Sequence, residues 1–215
     1  MSGMNWHVLW SYRADLAEGL WLTVWISTIA IVGAAVIGTI SGFLLASRVF
    51  YLRRLTETGV AALRNVPVVV KLFFLHFVIG LPALWAAIIG LIVHQSAYIA
   101  DVTAAGLRSI PRGQEEAGAS TGLTKVQIAR HVLLPQALRY SLPALTTQFA
   151  SIVKNSSVVM LLAIEDLTFM TKKIESETFR GLEAATAVTV IYIAIVAVVI
   201  IAMSRVQHIV EKQFR

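Results

Sequence analysis

Apolar runs punctuated by short charged stretches organise this chain. Leu20 to Ala46 carries no charged residue, and its length of about 27 residues is enough to cross a bilayer with tilt. Leu55 to Gly80 is apolar again but holds Glu57, Arg64, Lys71 and His76, with a break expected near Pro67 and an outer turn at Gly80-Leu81-Pro82. Further runs follow over Ala83 to Gly106, Pro143 to Ile164 and Ala184 to Met203. The pattern predicts an all-α, polytopic membrane protein, one domain over 1–215 with about five spans near 20–46, 55–80, 83–106, 143–164 and 184–204. Gly33, Gly38 and Gly42 give the first span small faces on which another helix can approach closely.

Arg108 to Pro135 is the polar, basic interruption. Pro111 suits a helix's first turn, Glu115 and Glu116 sit near the positive helix end, and Gly122 can stop the helix. Thr124 and Gln127 form a T-x-x-Q capping box that starts a second helix, which Pro135 should end or kink. The loop 108–135 is expected at the cytoplasmic face. Eleven Lys and Arg (48, 53, 54, 108, 112, 125, 130, 139, 205, 212, 215) fall in the segments this topology puts inside, against four (13, 172, 173, 180) outside. The positive-inside rule then places the N-terminus outside and the C-terminus inside. Met1 to Gly19 lacks the basic start of a signal peptide.

Composition agrees with the spans: 57% of residues are hydrophobic and mean hydropathy is +0.76. There are no cysteines, so disulfides and thiolate metal sites are excluded. The net charge of +6 is scattered between apolar runs, which makes it a topology signal rather than a nucleic-acid surface. The chain has no GxxxxGK[ST] loop, no H-E-x-x-H and no G-x-S-x-G, so it is not expected to be an enzyme.

Ionisable groups at membrane depth cost at least about 2.5–3.5 kcal/mol and normally face a cavity or a partner. His94, Tyr98 and Asp101 stand at i, i+4 and i+7 on one face of the third span; Thr147, Ser151 and Lys154 make a similar stripe on the fourth, with Gln148 and Asn155 beside it. Lys71 and His76 lie in the second. The candidate substrate path is therefore Lys71, His94, Tyr98, Asp101, Lys154 and Asn155; alternatively Asp101 and Lys154 lie near the cytoplasmic boundary or pair with each other. Arg64 sits within or at the edge of a span without an evident reason. Five helices cannot readily enclose an amino-acid-sized path, and no internal repeat is evident, so a second chain is expected to supply the missing wall.

Glu116-Ala117-Gly118, then Gly122, then Val132-Leu133-Leu134-Pro135 resembles the EAA loop of ABC importer permeases, departing from it at Gly118 and Val132. Leu63-Arg64-Asn65-Val66-Pro67, Ser96 to Asp101, Gly106 to Gly122 and Lys154-Asn155-Ser156-Ser157 are similar to segments of the polar amino acid branch of that family, and the Asn-Val form resembles its glutamate and aspartate permeases. The resemblance implies a permease in the bacterial cytoplasmic membrane and an import function. It implies a dimeric ABC ATPase that holds ATP and Mg while this chain holds no cofactor, a second permease chain, identical or related, and a periplasmic or extracellular substrate-binding protein. Glu116, Ala117, Gly118 and Gly122 would then contact the ATPase. The competing expectation is an ATPase-independent channel or secondary carrier.

Overall fold

Where the sequence has apolar runs the chain is helical, and among the described residues, 5–212 of this computed structural model, there is no strand. Residues 1–4 and 213–215, Arg215 among them, lie outside them. Ten α-helices are numbered in order: α1 His7–Ser11, α2 Arg13–Leu45, α3 Phe50–Asn65, α4 Val68–Phe73, α5 Ala83–Arg108, α6 Arg112–Ser120, α7 Lys125–Ile128, α8 Leu134–Ser156, α9 Leu167–Thr178 and α10 Gly181–Lys212. Three of them, α2, α5 and α10, are long and apolar enough to cross a membrane, and there are up to five spans if two bent helix pairs each count as one. The first apolar helix begins at Arg13, well before the uncharged run.

Two prolines behave differently from their sequence expectation. Pro135 neither ends the helix nor leaves it: α7 widens into a π-helical turn over Ala129–Leu133, in which the Leu134 amide bonds Ala129 O, and α8 continues through Pro135 and Pro143. A widened turn already departs from the i to i−4 pattern that proline disrupts, so the missing amide falls where the regular ladder is interrupted. The fourth long helix therefore starts before Pro143. Pro111 occupies the N-cap position of α6 rather than its first turn.

The helices contribute to two compact units. The first (1–32, 67–92 and 150–199) is built around Leu16, Leu167, Met170, Ile174, Ala184 and Val188. Asp166 caps α9 by accepting a bond from the Phe169 amide (2.9 Å), and its second oxygen accepts from the Tyr192 hydroxyl (3.1 Å). The Leu167 amide donates to Thr23 Oγ1 at 3.0 Å. Asp166 and Thr23 are fully buried. Lys173 pairs with Asp15, and Tyr12 donates to Glu177.

The second unit (33–66, 93–149 and 200–215) packs by close approach. A Cβ on Gly42 would lie 2.4 Å from Thr103 Cβ, and one on Gly38 would lie 2.6 Å from Ile99 Cβ, so α2 meets α5 where side chains are missing. Gly106 likewise faces Ser141 on α8. The Gln95 side chain donates to Gln148 across α5 and α8 at 2.6 Å.

Candidate functional site

The two-helix loop is held in shape by local bonds that its sequence specifies. Thr124 and Gln127 make both halves of the capping box. Gly122 has φ +81°, and the Gly122 amide bonds Ala119 O while the Leu123 amide bonds Gly118 O. Those two bonds around a left-handed residue are a Schellman motif, a C-terminal cap in which glycine avoids a Cβ penalty. Glu116, Ala117 and Gly122 are exposed. Gly118 is buried, and a Cβ there would lie 3.0 Å from Ile128 Cγ1, so its smallness lets α6 and α7 close on each other. The turn also presents Val126, 75% exposed, and Leu123, 36% exposed.

Beside α6 opens a cavity of about 970 Å³, whose walls include Arg48, Arg53, Arg108, Arg112, Glu115 and Glu116. Arg48 pairs with Glu115, and Arg108 donates to Leu45 O at 2.8 Å. No ion pair engages Glu116 among the described residues. Its carboxylate is available for a donor from outside the chain.

The polar face of α5 forms a connected cluster with one residue from α3. Arg64 makes an ion pair with Asp101 and lays its guanidinium over the Tyr98 ring, 5.1 Å from the centroid. The His94 ring meets Tyr98 edge-on at 5.2 Å. Asp101 thus has Arg64, not Lys154, as its ion-pair partner. Arg64 is missing from the sequence-based path; the available signal was its unexplained position among the basic residues of the spans. Lys71, Lys154 and Asn155 belong to the first unit, where Lys71 is buried on α4, Lys154 is exposed and Asn155 half-buried. His76 bonds the Leu81 carbonyl at 2.8 Å and so helps close the turn after α4.

Residues 34–215 match the family model described as the inner membrane component of binding-protein-dependent transport systems. The chain is 30% identical over 211 residues to the glutamine transport system permease protein GlnP of Escherichia coli (strain K12), covering 95% of this chain and 96% of that one. It is 29% identical over 225 residues to the probable amino-acid permease protein YxeN of Bacillus subtilis (strain 168), with both chains covered in full. Among solved structures it resembles an amino acid ABC transporter crystallised with histidines (TM-score 0.86, 25% identity, 96% of this chain and 99% of that one). It also resembles the MetNI methionine ABC transporter in an inward-facing conformation (TM-score 0.81, 25% identity, 93% and 98%). Several long apolar helices and a match over most of the length make it a multi-pass protein of the cytoplasmic membrane, and the chain belongs to the family of inner membrane components of binding-protein-dependent transport systems.

Proposed function

We propose that this chain is the permease subunit of an ATP-driven importer of polar amino acids, and that loop 108–135 transmits the movement of a separate ATPase to the spans. The observation that carries the coupling role is the loop itself: a capped, two-helix projection showing an ion-pair-free Glu116, an accessible Ala117 and Gly122, and the exposed apolar side chains Leu123 and Val126. An exposed apolar tip ringed by polar groups is the signature of a docking surface. Glu116, Ala117 and Gly122 touch the ATPase, and Gly118 sets the closeness of the two helices behind them. The ATPase dimer holds ATP and Mg. A second permease, identical or related, and a binding protein on the opposite face complete the assembly. The concentration of Lys and Arg in segments 48–54, 108–139 and 205–215 supports an N-terminus outside and a C-terminus inside. Lys71, His94, Tyr98, Asp101, Lys154 and Asn155 line the substrate path. The amino-acid assignment rests on the relatives named above, and glutamate and aspartate are the narrower candidates.

The test is co-purification from the native membrane with and without Gly122→Arg. The native chain is expected to retain a P-loop ATPase that the variant loses, because a long side chain at φ +81° both strains the cap and obstructs the tip. A chain that purifies alone and transports in liposomes without ATP would instead be a self-contained channel or carrier.

A further inference from the structure

We propose that Arg64 and Asp101 form the site for the zwitterionic head of the transported α-amino acid, with Arg64 taking its carboxylate and Asp101 its ammonium. The inference rests on the amino-acid reading above and makes that reading specific. Asp101 lies within α5, one of the helices long and apolar enough to span the membrane, yet its side chain is 40% exposed and that of Arg64 46%. Neither a carboxylate nor a guanidinium is stable against lipid tails, so where α5 crosses the membrane the open side of the pair faces a water-accessible route or a partner chain.

The chemistry of the cluster matches a zwitterion group for group. A guanidinium offers a planar fork that receives a carboxylate through two parallel bonds. Asp101 supplies the counter-charge for an ammonium, and the Tyr98 ring under the Arg64 guanidinium holds that cation in place beside it. In the structure the two residues satisfy each other. When a zwitterion enters between them, one ion pair is replaced by two and the net charge of the site stays zero. A simple amine would occupy Asp101 and strand Arg64; a simple acid would occupy Arg64 and strand Asp101. Once a ligand covers the site, leaving one charge of the pair without a partner is unfavourable, so the site disfavours both. It reads what all α-amino acids share and leaves the side chain to be read elsewhere.

The experiment uses the complete transporter, permeases with their ATPase, in lipid nanodiscs without the binding protein. Radiolabelled glutamine, glutamate, histidine and methionine are each equilibrated against it, together with the amine and the carboxylic acid that correspond to whichever one binds. Saturable binding of at least one amino acid is expected, weakened tenfold or more by Arg64→Gln and by Asp101→Asn, and less by Arg64→Lys, which keeps the charge but not the fork. The amine and the acid are expected to compete at least tenfold more weakly than the amino acid. Absence of saturable binding to the native complex, native affinity in both neutral variants, or equal competition by either analogue overturns the proposal. Should the variants fail to assemble, the analogue competition on the native complex still decides. If the transporter with its binding protein imports no amino acid at all, the underlying functional reading fails; if it imports one that the variants still bind normally, only the Arg64–Asp101 assignment fails.

Discussion

The two units differ in whether they bury charge. The first buries part of its own: Lys71, Asp166 and Glu183, the charged residues that are buried among those described, all belong to this unit. The second buries none and is strongly basic, with eleven Lys and Arg against five Asp and Glu among the described residues, whereas the first has six against seven. Its ion pairs among the described residues, Arg48–Glu115, Arg54–Glu57 and Arg64–Asp101, are at least partly open. A buried carboxylate with fixed partners specifies one arrangement of its neighbours, while an exposed charge remains available to something outside the chain. The first unit thus has the character of a frame and the second that of a surface for exchange with partners.

Asp166→Ala should break this contrast most severely. It removes the cap of α9, leaves the Phe169 amide without its acceptor and leaves the Tyr192 hydroxyl only Thr168 Oγ1, 2.8 Å away, at a cost of about 2–4 kcal/mol. Thermal unfolding in detergent should show a drop of roughly 5–15 °C for a chain of this size. Asp166→Asn, which keeps an accepting oxygen, should recover more than half of it. Gly106→Ala probes the close approach in the second unit. Its new Cβ would stand 2.0 Å from Ser141 Oγ and 2.9 Å from Ala137 O, and the same melting assay should report a loss of about 1–3 kcal/mol.

Thr124→Ala sharpens the comparison by separating stability from coupling. Losing the capping box costs about 1 kcal/mol at the loop, so the melting temperature should barely move. The transport-to-hydrolysis ratio in proteoliposomes should nevertheless fall, because the tip that meets the ATPase is no longer held. An unchanged ratio would show that the box is only structural. Gly118→Ala should have the smallest effect. Alanine favours the helix by about 1 kcal/mol, but its methyl would press on Ile128 at 3.0 Å, so the two contributions largely cancel and unfolding should shift by under about 1 kcal/mol.

Much of the loop was legible in the sequence because its determinants are local. Thr124 and Gln127 are three residues apart, and Gly122 needs only its own dihedral freedom to end α6. The face shared by His94, Tyr98 and Asp101 likewise follows from helical spacing. Long-range partners were not legible. Arg64 reaches Asp101 across 37 positions and Asp166 meets Tyr192 across 26, and periodicity encodes neither pairing. Pro135 was misjudged for a different reason: proline's effect depends on the hydrogen-bond register in front of it, and a π-helical turn leaves no residue signature as distinct as a capping box.

That turn has a consequence for angular phase. A five-residue turn accommodates about one residue more than a regular one, and each residue of an α-helix advances the side chains by about 100°. Every position of α8 therefore stands about a quarter-turn or more away from the azimuth that uninterrupted counting from Lys125 would assign it. Removing one residue from Ala129–Leu133 would convert the turn to ordinary α-helix while preserving composition almost entirely, yet it would rotate either Gln148 away from Gln95 or α7 away from Gly118. Lineages of this chain are thus expected to tolerate substitutions at 129–133 far more readily than a single deletion.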